Sequence, residues 1–173
     1  MNRELPPLGP VLTDRKGDMG TFGTGPFGSD GALDFLDKLA RQSAGQRRET
    51  LERIFSQVRD RPDLLGRKFF ADEIVAAAAV VAASLASGED IRRDLDDEDY
   101  DVNAILVQAP DPELSASALE ALLVAAGPDG PWHDGWVNPE TAAEARHTTD
   151  RLAATLRRDE HSQDQSGHES GGR

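Results

Sequence analysis

The stretch from Ile74 to Leu85 constrains the fold of this chain more than any other. It is apolar throughout except for Ser84 and is built mainly from alanine and valine. It is too short and too alanine-rich to span a bilayer, which takes roughly 20 apolar residues. Read as a helix from about Phe70 to Ser87, it places Phe70, Ile74, Ala77, Val81 and Leu85 on its principal face. Ala76, Ala78, Ala79, Val80, Ala82 and Ala83 make most of the remainder apolar as well. A helix that is small and apolar nearly all round must be enclosed by neighbours, so it is expected at the centre of a helical bundle. Gly88 follows it as an expected C-terminal stop.

The neighbours can be found by period and by cap. Helix one is expected from about Asp30 to Arg41, capped by Ser29 or Asp30, with Leu33, Leu36, Leu39 and Ala40 inward. Gln42 to Gly45 reads as a connector. Helix two, about Gln46 to Arg59, carries Leu51, Ile54, Phe55 and Val58 on one stripe and Arg47, Arg48, Glu49, Glu52 and Arg53 on the other face. Helix four is expected from Pro112 to Ala126, with Pro at its first turn. Asn138-Pro139 starts helix five, which is expected to reach about Arg158 with Ala142, Ala145, Thr149, Leu152 and Leu156 inward. The fold class is therefore all-α, a single bundle of about five helices over residues 19 to 158. Residues 1 to 18 and 159 to 173 lack periodicity and are expected to be a disordered leader and tail.

Charge is unevenly spread. Residues 89 to 113 hold ten acidic residues against Arg92 and Arg93, a net −8 of the chain's −13. This segment reads as an excursion over the surface, with strand character only at Val102 to Val107 and room for a short helix or strand within it. Residues 41 to 68 carry net +4, and the excursion could fold over that basic face through weak, salt-sensitive ion pairs. The acidic balance argues against a nucleic acid partner and suits a basic protein partner. The absence of cysteine excludes disulfides and thiolate metal sites, and no two of the four histidines stand at helical ligand spacing. Asp97 to Asn103 opens like a calcium loop, but the sixth position is Val102 instead of glycine and the twelfth is Gln108 instead of glutamate. No metal and no cofactor is expected. With no apolar N-terminal run and no membrane-length segment, the expected location is cytoplasmic.

Gly20 to Gly28 is the most specifically patterned stretch. Gly23-Thr-Gly25-Pro-Phe-Gly28 matches a dinucleotide fingerprint literally, but no strand precedes it, and Pro26 lacks an N–H that a phosphate cradle would use. Its glycines are instead expected to supply positive φ in consecutive turns, with Phe22 and Phe27 plugging the chain end into the core. The pattern begins at Met19, the only methionine besides Met1 and the expected native start.

Residues 19 to 35, Met-Gly-Thr-Phe-Gly-Thr-Gly-Pro-Phe-Gly-Ser-Asp-Gly-Ala-Leu-Asp-Phe, resemble the opening of a bacterial family, domain of unknown function 4259. Its members open Met-Gly-Thr-Trp-Gly-Thr-Gly-Pro-Phe, then carry a polar cap and a helix ending near Asp-Phe. Phe22 replaces the tryptophan here, and Gly28-Ser29 replaces an acidic-polar pair. The family's glutamate before an alanine-rich helix matches Glu73 to Ala83, and its late tryptophan segment matches Trp132 to Trp136. The resemblance covers roughly residues 19 to 158 and implies a bacterial origin but no activity.

The candidate functional or structural site comprises Phe22, Gly23, Gly25, Phe27, Asp30, Glu73, Trp132 and Trp136. Asp72 and Glu73 suit the positive end of the central helix; in the sharper reading, a partly buried Glu73 accepts N–H groups of the glycine turn. Trp132 and Trp136, four apart, anchor a short segment or line a small pocket, and His133 reads as a surface partner of Asp134. The leading function is a non-enzymatic protein-interaction module, with an immunity- or antitoxin-like role as one form of it. The alternative is a small enzyme or ligand-binding domain with its site between the glycine turn, Glu73 and the tryptophans. A pocket with convergent polar groups and a perturbed Glu73 would favour the alternative.

Overall fold

The structure is a computed structural model that describes residues 23–134, 136 and 138–164, the last helix without the side chains of Glu160, Gln163 and Asp164. Phe22 and Met19 lie outside the described residues, as do the leader and residues 165–173. The described residues form α1 (Asp30–Ala40), α2 (Ala44–Asp60), α3 (Ala71–Ser84), α4 (Glu89–Asp97), α5 (Val102–Ile105), α6 (Pro112–Ala126) and α7 (Pro139–Asp164). Single 3-10 turns cover Pro62–Leu64 and Pro131–His133, and one isolated bridge joins Leu65 to Phe69. There is no strand among the described residues, and none of their helices is long and apolar enough to cross a membrane.

The alanine-rich helix is central. Every residue of α3 from Ile74 to Ala83 is buried, and α1, α2, α4, α6 and α7 all pack against it. Small side chains let the neighbours come close on every side, which a leucine-rich helix would prevent. Phe70 departs from the expectation. It occupies the cap position before α3 in extended backbone, so its side chain leaves the helical stripe and is 56% exposed.

Caps locate the other helices. The Ser29 hydroxyl accepts from the Ala32 amide. Ser43 and Gln46 make a reciprocal capping box, which starts α2 at Ala44 within the expected connector. The Asp111 carboxylate accepts from the Leu114 amide at 2.9 Å; that bond, and then Arg48, hold its carboxyl below the usual range. The Asn138 side chain accepts from the Glu140 amide at the start of α7, whose helix continues to Asp164. On α1 the buried set is Ala32, Phe35, Leu36 and Leu39, the i, i+3, i+4, i+7 pattern, and Ala40 is exposed at the helix end.

The acidic segment is largely built into the fold. Ile91 and Leu95 of α4, then Ile105 and Val107, are buried core residues. Val102–Ile105 is helical, capped by the Asp101 carboxylate on the Asn103 amide, so the expected strand character is not realised. Arg92 donates to the carbonyls of Ala83 and Leu85, satisfying the end of α3. The Ser84 hydroxyl donates to the Val80 carbonyl and accepts from the Val107 amide, fastening the end of the segment to α3. Tyr100 reaches Asp37 on α1 at 2.8 Å; burial, and then that carboxylate, push its phenol up to about 12.

The basic face meets the segment at two points. Arg47, expected on the solvent face, is buried and donates to the Asn103 carbonyl at 3.2 Å. Arg48 pairs with Asp111, while Asp94 of α4 turns to Arg151 on α7.

Candidate functional site

Residues 23 to 28 close on themselves. The Gly23 amide donates to the Gly28 carbonyl at 3.1 Å, and the Gly28 amide to the Gly25 carbonyl at 3.4 Å. A Cβ added to Gly28 would lie 2.7 Å from the Gly23 Cα, so these two glycines are required for close backbone approach. Positive φ, the expected reason, is not adopted here; among the described glycines it occurs at Gly66. Two of the amides a phosphate cradle would use are thus spent inside the turn. Phe27 is buried as expected of a plug. The turn faces Asp94 and Asp97 of α4, Glu98 just past its end, and Thr148 and Arg151 of α7, and Thr24 donates to Glu144.

A different set of residues encloses a cavity of about 290 Å³. The first turns of α1 and α3 supply Gly31, Ala71, Asp72 and Glu73; the loop before α3 supplies Gly66 and Phe70; the segment before α7 supplies Pro131, Trp132 and Trp136. The bridge between Leu65 and Phe69, with the Gly66 amide donating to the Phe69 carbonyl at 2.7 Å, folds that loop so that Gly66 and Phe70 meet the site. The two indoles pack edge to face with centroids 5.4 Å apart. Trp132 is buried and directs its Nε1–H at the Ala145 carbonyl of α7, 3.5 Å away. His133 is not a surface partner of Asp134: its Nε2 lies 2.8 Å from the Ala126 carbonyl, so Nε2 carries the proton and closes the end of α6.

The two carboxylates play distinct parts. Asp72 is the one tied to α1. It accepts from the Ser29 hydroxyl at 2.9 Å and from the Glu73 amide at 3.0 Å, and a Cβ on Gly31 would overlap it. The Ser29 hydroxyl therefore caps α1 and joins it to α3 in one group. Glu73 sits in the first turn of α3 as the helix-end reading has it, and it accepts none of the described amides of the glycine turn, as the sharper reading would require. Its carboxyl is half-buried on the cavity wall and makes no hydrogen bond or ion pair among the described residues. Burial pushes it above the usual carboxylate range and the neighbouring Asp72 charge adds to this, while Lys38 opposes both.

The sequence-derived site thus divides. Glu73, Trp132 and Trp136 come together at the cavity. Gly23, Gly25 and Phe27 lie in the turn against α4 and α7, and Asp30 is exposed in the first turn of α1. Gly31, Gly66 and Phe70 are cavity residues that the sequence did not single out. The only local signal was their position beside the starts of two helices. Among the described residues no three His, Asp or Glu side chains converge as a metal site would require.

These features define a small all-α domain with a ligand-sized, aromatic-walled cavity at the start of its central helix. The chain belongs to the family described as domain of unknown function DUF4259, whose model matches residues 20–148 and so includes every residue lining the cavity. No curated protein and no solved structure matches the chain.

Proposed function

We propose that this protein is a ligand-binding domain, the alternative that a cavity with a perturbed Glu73 favours over an interaction module without a pocket, and that the cavity between α1, α3 and Trp132–Trp136 is its binding site. The observation that carries this reading is Glu73, a half-buried carboxyl with no internal hydrogen-bond partner on the wall of an otherwise mainly apolar cavity. Core packing gives no reason for it, since an apolar residue there would avoid the cost of desolvating the charge. A few placed polar groups in an apolar concavity are the usual make-up of a ligand site. The test is a fragment screen by NMR. Hits should perturb the amides of Gly31 and Gly66 and the indole N–H signals of Trp132 and Trp136 together. Hits that fall only elsewhere would overturn this assignment.

A second reading places a basic protein partner on α4. Asp96, Asp97, Glu98 and Asp99 are four consecutive exposed acids at the C-terminal end of that helix, where the dipole disfavours negative charge. Neutralising them to Asn and Gln should raise the melting temperature, and should abolish any salt-sensitive binding to a basic partner. Salt-sensitive binding that survives the change would place that partner elsewhere.

A further inference from the structure

We propose that the cavity accepts an organic ammonium group, a positively charged nitrogen carried on an alkyl framework, with its carbon shell against Trp132 and Trp136 and its charge compensated by Glu73. This rests on the reading of the cavity as the recognition site and adds the chemical class of what enters it.

Three observations converge. Among the described residues, the cavity wall contains two carboxylates and no lysine, arginine or histidine. Its apolar lining is largely aromatic, with both indoles and Phe70, which is 56% exposed. Indole and phenyl faces carry negative quadrupole charge and attract cations, most strongly when the cation sheds its water. The Glu73 carboxyl also accepts no hydrogen bond within the described fold and keeps solvent access, so it is free to meet a ligand. Asp72 has its two hydrogen bonds and a fixed position; Glu73 has none, and the nearest compensating charge is Lys38 acting through space. An ammonium in the cavity would give this carboxylate a charged partner in place of water. An alkylated ammonium suits the walls better than a hydrated metal ion, because indoles offer no oxygen ligands and the carbon shell can displace water from them.

The opposing argument is the helix end. The first turn of α3 borders the cavity, and its free N–H groups carry a partial positive charge, about half a unit, that would favour an anion. Asp72 and Glu73 place two carboxylates at that same end, so the local balance favours a cation.

The test uses the full chain, intrinsic tryptophan fluorescence and choline as the probe. Its uncharged carbon isostere, with carbon in place of the nitrogen, and acetate are the comparators. Choline should bind saturably and at least about tenfold more tightly than the isostere. Glu73→Gln should remove that preference while the protein stays folded, with a melting temperature at or above that of the parent near neutral pH. The sign follows from burial. A carboxyl whose folded-state pKa is raised costs stability once pH exceeds its unfolded value, and the neutral amide escapes that cost. Equal binding of choline and isostere, preference for acetate, or undiminished choline binding by Glu73→Gln would each overturn the proposal. Fragment hits at the cavity without choline binding would overturn the ammonium assignment and leave the recognition site standing. No occupancy of the cavity by any probe would overturn both.

Discussion

Replacing Phe27 with alanine should lower the free energy of unfolding by about 3–5 kcal/mol, the range for deleting a buried phenyl ring. Phe27 is 1% exposed and belongs to the turn of residues 23 to 28 that precedes α1. The size of the loss depends on whether the surroundings can collapse into the space, and here they cannot. The turn is already shut by the Gly23–Gly28 hydrogen bond of 3.1 Å, with the two glycine backbones in contact. Its outer side is held to α7 by Thr24 and Glu144. Against a total stability of roughly 5–15 kcal/mol, the variant would be near the edge of folding at ordinary temperatures. Urea denaturation checks this, read as a fall in the midpoint with little change in slope. Gly25→Ala is the control inside the same turn: an added Cβ meets nothing within 4 Å, so it should be close to silent. The folded fraction of Phe27→Ala should keep the binding properties of the cavity, because Phe27 does not line it. A loss below about 1 kcal/mol, the centre of the range for point mutations in general, would mean that the turn is only loosely attached and that the plug reading is wrong. The result bears on how the most distinctive sequence motif is understood, since it assigns Gly23, Phe27 and Gly28 to architecture and leaves recognition to residues further along.

The parts of the fold that could be read from the chain are those set by local chemistry. Asp111-Pro112 and Asn138-Pro139 start helices because a side-chain oxygen and a fixed φ act within a few residues. The central place of α3 follows from its composition alone, as alanine on every face has use only where neighbours approach closely. The short helices of the acidic segment were open to the sequence, but their docking into the core was not, for the opposite reason. Charge counted over residues 89 to 113 conceals Ile91 and Leu95, one turn apart on a nine-residue helix, which are enough to dock it once α3 offers a small-residue surface. At the candidate site, Glu73 and the two tryptophans were legible as unusual residues near helix starts. Which carboxylate faces α1 was not. Adjacent helical residues point about 100° apart, and only the tertiary arrangement decides that Asp72 meets Ser29 while Glu73 turns to the cavity. Gly66 and Phe70 join the site through the loop of residues 65 to 69, whose shape has no periodic signature.

Gly88→Ala should destabilise the protein by about 3 kcal/mol, at the upper end of the overpacking range. The expected reason for this glycine was a left-handed helix stop, but its φ of −91° and ψ of 18° are open to other residues. Close approach is the reason. A Cβ there would overlap the Ala82 carbonyl oxygen and stand 2.8 Å from its carbonyl carbon and 2.9 Å from the Ala83 Cα. All three are backbone atoms of α3, which is enclosed and cannot shift. Relief would have to come from α4, and moving α4 would break the Arg92 hydrogen bonds to Ala83 and Leu85, at 2.6 and 2.8 Å, and disturb the Asp94–Arg151 pair. The strain therefore reaches the contacts that fold the acidic segment onto the core. Gly88→Asn separates the two explanations, because asparagine suits a left-handed stop but carries the same Cβ. Close approach predicts that it is at least as damaging as alanine. Gly45→Ala, where an added Cβ meets nothing within 4 Å, is the comparison with space available. If Gly88→Ala and Gly88→Asn both stay within about 0.5 kcal/mol of the parent, the ordinary spread of harmless surface changes, α4 does not pack against the end of α3 as closely as this structure places it.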